Sequence, residues 1–229
     1  MKIGVIVPME EELGLLTNSL NNVSCEQIAG IKLWLGCYKN HQVVVAQCGI
    51  GKVQAAMVTT LLCSNYQIDI LINTGSAGGI GEGLNVGDVV VSKQVAYHDV
   101  DVTASDYPKG QLPQQPLYFK ADDRLVEQIV DAGHTVGQDS KVGLIVSGDQ
   151  FIGSQQQKQQ ILADFPDALT VEMEGAAVGQ VATQFSIPFV IIRSMSDVGD
   201  DQASVSFDEF VRDAGERSVQ MLLNFMDHN

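Results

Sequence analysis

Basic residues are scarce in this chain. Lysine and arginine together number 13 against 28 aspartates and glutamates, a formal charge of −15, and guanidinium groups occur only at Arg124, Arg193, Arg212 and Arg217. Nucleic acid and anionic membrane surfaces are bound through basic patches, so this balance argues against both as partners. Cysteine is sparse as well: Cys25, Cys37, Cys48 and Cys63 form no C-x-x-C pair. The apolar surroundings of Cys48 and Cys63 mark buried thiols, and an even count alone makes no disulfide framework in a chain this long. Long hydrophobic runs are missing too. The apolar stretch from Ile3 to Val7 stops at Pro8 and three glutamates, far short of a signal segment or a membrane span, so the expectation is a soluble cytoplasmic protein. No linker, repeat or low-complexity boundary divides residues 1–229, which read as one domain.

What is present is a 45% hydrophobic composition patterned as an α/β chain. Residues 2–7 read as a buried strand, followed by a helix to about Leu20 with Met9, Leu13, Leu16 and Leu20 on its inner face. Glu12 lies beside that stripe, so it is the glutamate of its group aimed inward. Strands are expected at 31–38 and 42–47, then a helix from the Gly49–Lys52 turn to Asn65. That turn is no Walker A loop, because Ala46 and Val53 stand where glycine and Ser or Thr are needed. Residues 68–73 read as a strand running into Thr74–Gly79, expected to be a tight turn or a ligand loop. Further strands are expected at 86–92, 94–96, 141–147, 169–172 and 189–194, and helices at 122–132, 154–163 and 207–226. His98–Thr103 holds a single histidine and reads as a solvated segment rather than a metal site. The long polar loop 105–116 is of a length that is usually functional or contacts a partner.

Chemistry-bearing residues gather at the expected strand ends. Glu172, Met173 and Glu174 sit at a strand-to-helix junction, the place where open α/β sheets build ligand crevices. Acidic residues at a helix start also complement its dipole, so the motif alone does not separate capping from binding. Ala176, Ala177 and Gly179 let the following helix pack closely. The strand ending near Ser194 delivers Arg193, Ser196 and Asp197, and Phe151 and Ile152 lie just beyond another strand end.

Taken together, these blocks resemble one family, the 5′-methylthioadenosine/S-adenosylhomocysteine nucleosidases. The resemblance rests on Met9–Glu12, Gly49–Lys52, Asn73–Gly79, Tyr97–Asp99, Asp101–Thr103, Val146–Asp149, Phe151–Ile152, Val171–Glu174, Ser196–Asp197 and Ser206–Phe210, in order from end to end. It implies a nucleoside phosphorylase-like α/β fold, with a central mixed, partly barrel-like sheet flanked by helices. It also implies a homodimer, no metal or organic cofactor, and hydrolysis of 5′-thio-substituted adenosines to adenine and a thioribose in methionine salvage. Asp197 would be the acid that protonates the leaving purine, and Glu12 the base that activates water, a division of labour like that of inverting glycosidases. By the same resemblance Ser76 and Arg193 support the water, and Glu174 binds the ribose hydroxyls over Met173. Phe151 and Ile152 belong to the adenine side, Ser196 is a further substrate-binding residue, and Met9, Ile50 and Phe207 enclose the 5′ substituent. Val102, Tyr107 and Pro113 would reach the site of the partner subunit, and Ser105 departs from the aromatic many relatives carry there. The same resemblance leaves a phosphorolytic enzyme, a futalosine hydrolase and a non-catalytic nucleoside binder of this fold as competing readings.

Overall fold

Strand β5 (Ile70–Gly79) is used by three neighbours at once, and the site is a consequence of that. The computed structural model describes residues 1–229, the side chain of Glu11 excepted. Ile70–Asn73 pair in parallel with β1 (Lys2–Val7) along one edge, and on the same path Gly78 and Gly79 pair antiparallel with β9 (Ala168–Glu172). The remaining partner is β10 (Phe189–Asp197), parallel to β5 from Leu71 to Gly78, with a register shift between Met195 and Asp197. Residues Thr74–Ala77 thus lie between the departure of β1 and the arrival of β9. That divergence leaves an opening in the sheet.

β6 (Val89–Tyr97) and β8 (Ser140–Ser147) complete a closed circuit of five strands, β10-β6-β8-β9-β5, inside one ten-stranded mixed sheet. β4 (His41–Gln47), β3 (Ile31–Tyr38) and β2 (Asn21–Ile28) extend the sheet beyond β1, and β7 (Phe119–Lys120) adds to β6. The long runs of Val and Ile in β1, β4, β6 and β10 follow from burial on both faces. One face is covered by α1 (Glu10–Ser19), α3 (Asp123–Thr135) and α6 (Ala203–His228), through Leu16, Ile129, Leu222 and Phe225. The other face is covered by α2 (Lys52–Asn65) and α5 (Gly175–Gln184), through Leu62, Ala176, Val178 and Ala182. A Cβ on Gly179 would come within 2.6 Å of Val95, so α5 lies as close to β6 as its small residues allow. α4 (Gln155–Asp164) packs at the outside, capped by the Ser154 hydroxyl on the Gln157 N–H. No helix is long and apolar enough to cross a membrane, among the described residues.

Several sequence expectations shift. Thr74–Gly79 is strand rather than turn: its glycines admit side chains packed from other elements, those of β10 foremost, and not a reversal of the chain. A Cβ on Gly75 would sit 2.2 Å from Nη1 of Arg193, and one on Gly78 would sit 2.8 Å from Oδ1 of Asp197. These glycines make room for charged groups. β2 has no hydrophobic alternation to betray it, since its first seven residues are exposed at the sheet edge. His98 is buried rather than solvated.

Candidate active site

The opening on β5 is a cavity of about 340 Å³. Its walls come from Pro8 and Met9 after β1, Ile50 after β4, and Ser76 to Gly78 on β5. Gln150 to Ile152 after β8, Val171 to Glu174 on and after β9, Ser196 and Asp197 on β10, and Phe207 in α6 complete it. Chain ends of strands running in both directions therefore meet around one space. Phe151 and Phe207 form part of the wall as an edge-to-face pair, with ring centroids 5.8 Å apart at 80°.

Deep in the fold lies a charged cluster. Arg193 is fully buried, and its Nη2 donates to Asn73 at 2.8 Å, to Glu174 at 3.3 Å and to Glu172. Asn73 is held in turn by its own donation to the carbonyl of Ile6, 3.0 Å away. Burial alone would lower the Arg193 pKa; Glu172, Glu174 and Glu12 outweigh it and hold the guanidinium above its ordinary value. Glu174 also accepts from the Gly51 N–H at 2.9 Å. Its burial, and after that the charge of Glu172, raise its pKa to about 7 against the pull of Arg193 and the backbone N–H groups. Glu12 is buried and accepts from the Met9 N–H at 3.3 Å.

Asp197 is placed differently. Its carboxylate accepts from the Gly199 N–H at 2.9 Å and from the Ser196 hydroxyl at 3.0 Å. Burial still raises its pKa above the usual carboxylate range, because those two bonds only partly offset desolvation. The following loop is tied down by Lys158, whose Nζ donates to the carbonyls of Val198 at 2.9 Å and Gly79 at 3.4 Å. At the start of α2, the Lys52 N–H donates to Asp149 at 2.8 Å and its ammonium pairs with Asp99 at 2.5 Å. The Gly49–Lys52 block thereby joins the loop after β8 to Glu174.

Residues 2–227 match the family model described as the phosphorylase superfamily. The chain is 47% identical over 218 residues to the 5′-methylthioadenosine/S-adenosylhomocysteine nucleosidase of Staphylococcus aureus (strain bovine RF122 / ET3-1), spanning 95% of this chain and 96% of that protein. The chain belongs to the 5′-methylthioadenosine/S-adenosylhomocysteine nucleosidase family. The Neisseria meningitidis nucleosidase in complex with methylthio-immucillin-A superposes with a TM-score of 0.97 at 42% identity, over 100% of this chain and 99% of that one. A futalosine hydrolase mutant of Helicobacter pylori superposes with a TM-score of 0.96 at 30% identity, over the full length of both chains.

Of the residues that the nucleosidase resemblance singles out, Met9, Ile50, Ser76, Phe151, Ile152, Met173, Glu174, Ser196, Asp197 and Phe207 all line the cavity. Glu12 and Arg193 are not in its wall; they form the buried layer next to Glu174. Val102, Tyr107 and Pro113 do not line the cavity of their own chain. Sequence reasoning missed Asn73 and left Glu172 without a role. Both contact Arg193, a proximity created by the pairing of β5, β9 and β10 with no local sequence signal.

Proposed function

We propose that residues 1–229 act as one nucleosidase domain that hydrolyses the C1′–N9 bond of 5′-methylthioadenosine and S-adenosylhomocysteine, releasing adenine and the corresponding 5-thioribose. Breaking this bond leaves positive charge on the ribose and negative charge on the departing purine. Asp197 gives its proton to N7 of the purine; its raised pKa keeps that proton available at higher pH than an ordinary carboxylate would. Glu12 takes a proton from the attacking water, whose oxygen bonds C1′ as the C1′–N9 pair leaves with adenine. Ser76 and Arg193 hold the water and its base. Glu174 accepts the ribose hydroxyls over Met173, Phe151 and Ile152 hold adenine, and Met9, Ile50 and Phe207 receive the alkylthio group.

The observation that carries hydrolysis over phosphorolysis is the cavity lining. Three carboxylates, Glu172, Glu174 and Asp197, face it and no lysine or arginine does, among the described residues. Phosphate would meet repulsion there, and Arg193, behind the wall, is already paired with Glu172 and Glu174. Purified protein is expected to release adenine from 5′-methylthioadenosine in phosphate-free buffer, at a rate that added phosphate does not raise. Release that requires phosphate would make this a phosphorylase. A futalosine-type nucleoside in the same assay sets the thio-substrate reading against the Helicobacter pylori relative.

The working unit is a homodimer in which Val102, Tyr107 and Pro113 of the partner subunit close the 5′ end of the cavity. Supporting this, apolar side chains stand in solvent beside it in the isolated chain: Ile50 is 61% exposed and Val53 78%. Sedimentation is expected to give a species of twice the 24.6 kDa chain mass. A monomer at assay concentration with full activity would remove the shared site.

A further inference from the structure

Glu172 has no part in the mechanism above, yet it is the most heavily bonded carboxylate of the cavity. Four donor groups converge on it: the N–H of Glu174 at 3.0 Å, the N–H of Gly175 at 2.8 and 3.0 Å to its two oxygens, the Ser147 hydroxyl, and Arg193. Ser147 is itself fixed, since its oxygen accepts from the Ala176 N–H at 2.7 Å. The first turn of α5 and the end of β8 therefore grip this side chain from two directions. A cap on α5 would need only the backbone bonds. The guanidinium and the hydroxyl are additional, and both are fully buried.

We propose that Glu172 is a positioning residue: clamped by the α5 N-terminus and Ser147, it holds the Arg193 guanidinium away from full pairing with Glu174, so that Glu174 keeps its acceptor capacity for the ribose hydroxyls. Arg193 is shared between the two glutamates, at the single nitrogen Nη2. Removing the Glu172 charge leaves Glu174 as the one carboxylate on that nitrogen beside the Asn73 oxygen, which draws the guanidinium onto the oxygens needed by the sugar and moves it from its place beside Glu12. A displacement on the 1 Å scale at a reacting centre costs about 10²-fold in rate.

The charge of Glu172 is also the second cause, after burial, of the raised Glu174 pKa. The other groups facing Glu174 are Arg193 on β10, the Gly51 N–H ahead of α2, the Cys48 thiol after β4, which burial keeps neutral, and Glu12 on α1 behind the arginine. Lys52 and Asp149 lie beyond Gly51: the Lys52 ammonium pairs with Asp99 and Asp149, and the Asp149 N–H donates to the Asp99 carboxylate.

The inference rests on the nucleosidase reading, so the wild-type pH profile of kcat/KM is measured first; absence of adenine release there refutes that reading and, with it, this role for Glu172. Against an active wild type, Glu172→Gln is expected to lower kcat/KM by about 10²-fold and to move the acidic limb to lower pH, since Glu174 then ionises beside one charge fewer. Glu172→Asp keeps the charge and shortens the reach, so it is expected to lose rate while leaving the limb where the wild type has it. Wild-type rate and limb in Glu172→Gln, with only a lower Tm, would reduce Glu172 to a helix cap and overturn the proposal. Should Glu172→Gln fail to fold, Ser147→Ala loosens the clamp while keeping the carboxylate: a fall in kcat/KM supports the proposal, and an unchanged kcat/KM overturns it.

Discussion

Asp197→Asn is expected to lower turnover by about 10²–10⁴-fold, the usual contribution of a positioned general acid, while substrate binding stays measurable. Asparagine keeps the oxygen that accepts from the Gly199 N–H and puts an NH2 where the second oxygen accepts from Ser196, whose hydroxyl can rotate to accept from it, so the loop after β10 keeps both ties. What is lost is the proton. The variant also tests the electrostatics. Asp197 has a folded-state pKa above its unfolded value, so between those values the folded state holds more protons than the unfolded one. Wild-type stability therefore falls as pH rises through that window, and the variant is free of this loss. Thermal melts should show the variant gaining on the wild type from acidic to neutral pH. Unchanged turnover would remove Asp197 from the acid role, and a variant less stable than wild type at neutral pH would contradict the account of its burial.

Arg193→Met is expected to be the most destabilising single change at the site. Methionine keeps the bulk of the stem but removes the charge, leaving Glu172 and Glu174 facing each other without a cation. Breaking one member out of a buried ion cluster costs about 3–5 kcal/mol, which for a chain of this size lowers Tm by on the order of 10 °C. Differential scanning calorimetry in a buffer near neutral pH measures it. The comparison is with Arg212, exposed on α6 and paired with Glu216 at 3.4 Å, where loss of the arginine should cost no more than about 0.5 kcal/mol. Equal effects at the two positions would mean that the buried cluster contributes nothing to the fold.

Most elements are legible in the chain because their signals are local. The alternation in Ile31–Tyr38, the capping Ser154 and the amphipathic run of α6 each announce themselves within a few residues. Glu12 is found inward as its position beside the Leu13 and Leu16 stripe requires. The failures share a cause: they depend on which strands become neighbours. Asn73 and Glu172 are 99 residues apart by number, and only the pairings of β5 with β10 and with β9 bring them to one guanidinium. Gly75 and Gly78 resemble turn glycines until Arg193 and Asp197 are seen to need their space. Glu174 precedes α5 as its N-cap, and the N–H groups of Glu174 and Gly175 go to Glu172 while that of Ala176 goes to the Ser147 hydroxyl.

The register shift in β10 separates two tasks that an even strand would merge. Residues four apart on a regular strand point the same way, which would turn Asp197 towards the cluster around Arg193. Here Arg193 lies opposite Gly75 and Asp197 opposite Gly78, positions three apart and so on opposite faces of β5. One unmatched residue, Ser196, reverses the parity of the strand between them. The arginine is thereby sealed among carboxylates, and the aspartate is turned into the cavity, where burial outweighs the pull of Lys158 on its proton. A single strand thus carries a permanent charge and a carboxyl group whose burial favours its proton within five residues, set on opposite faces of the backbone.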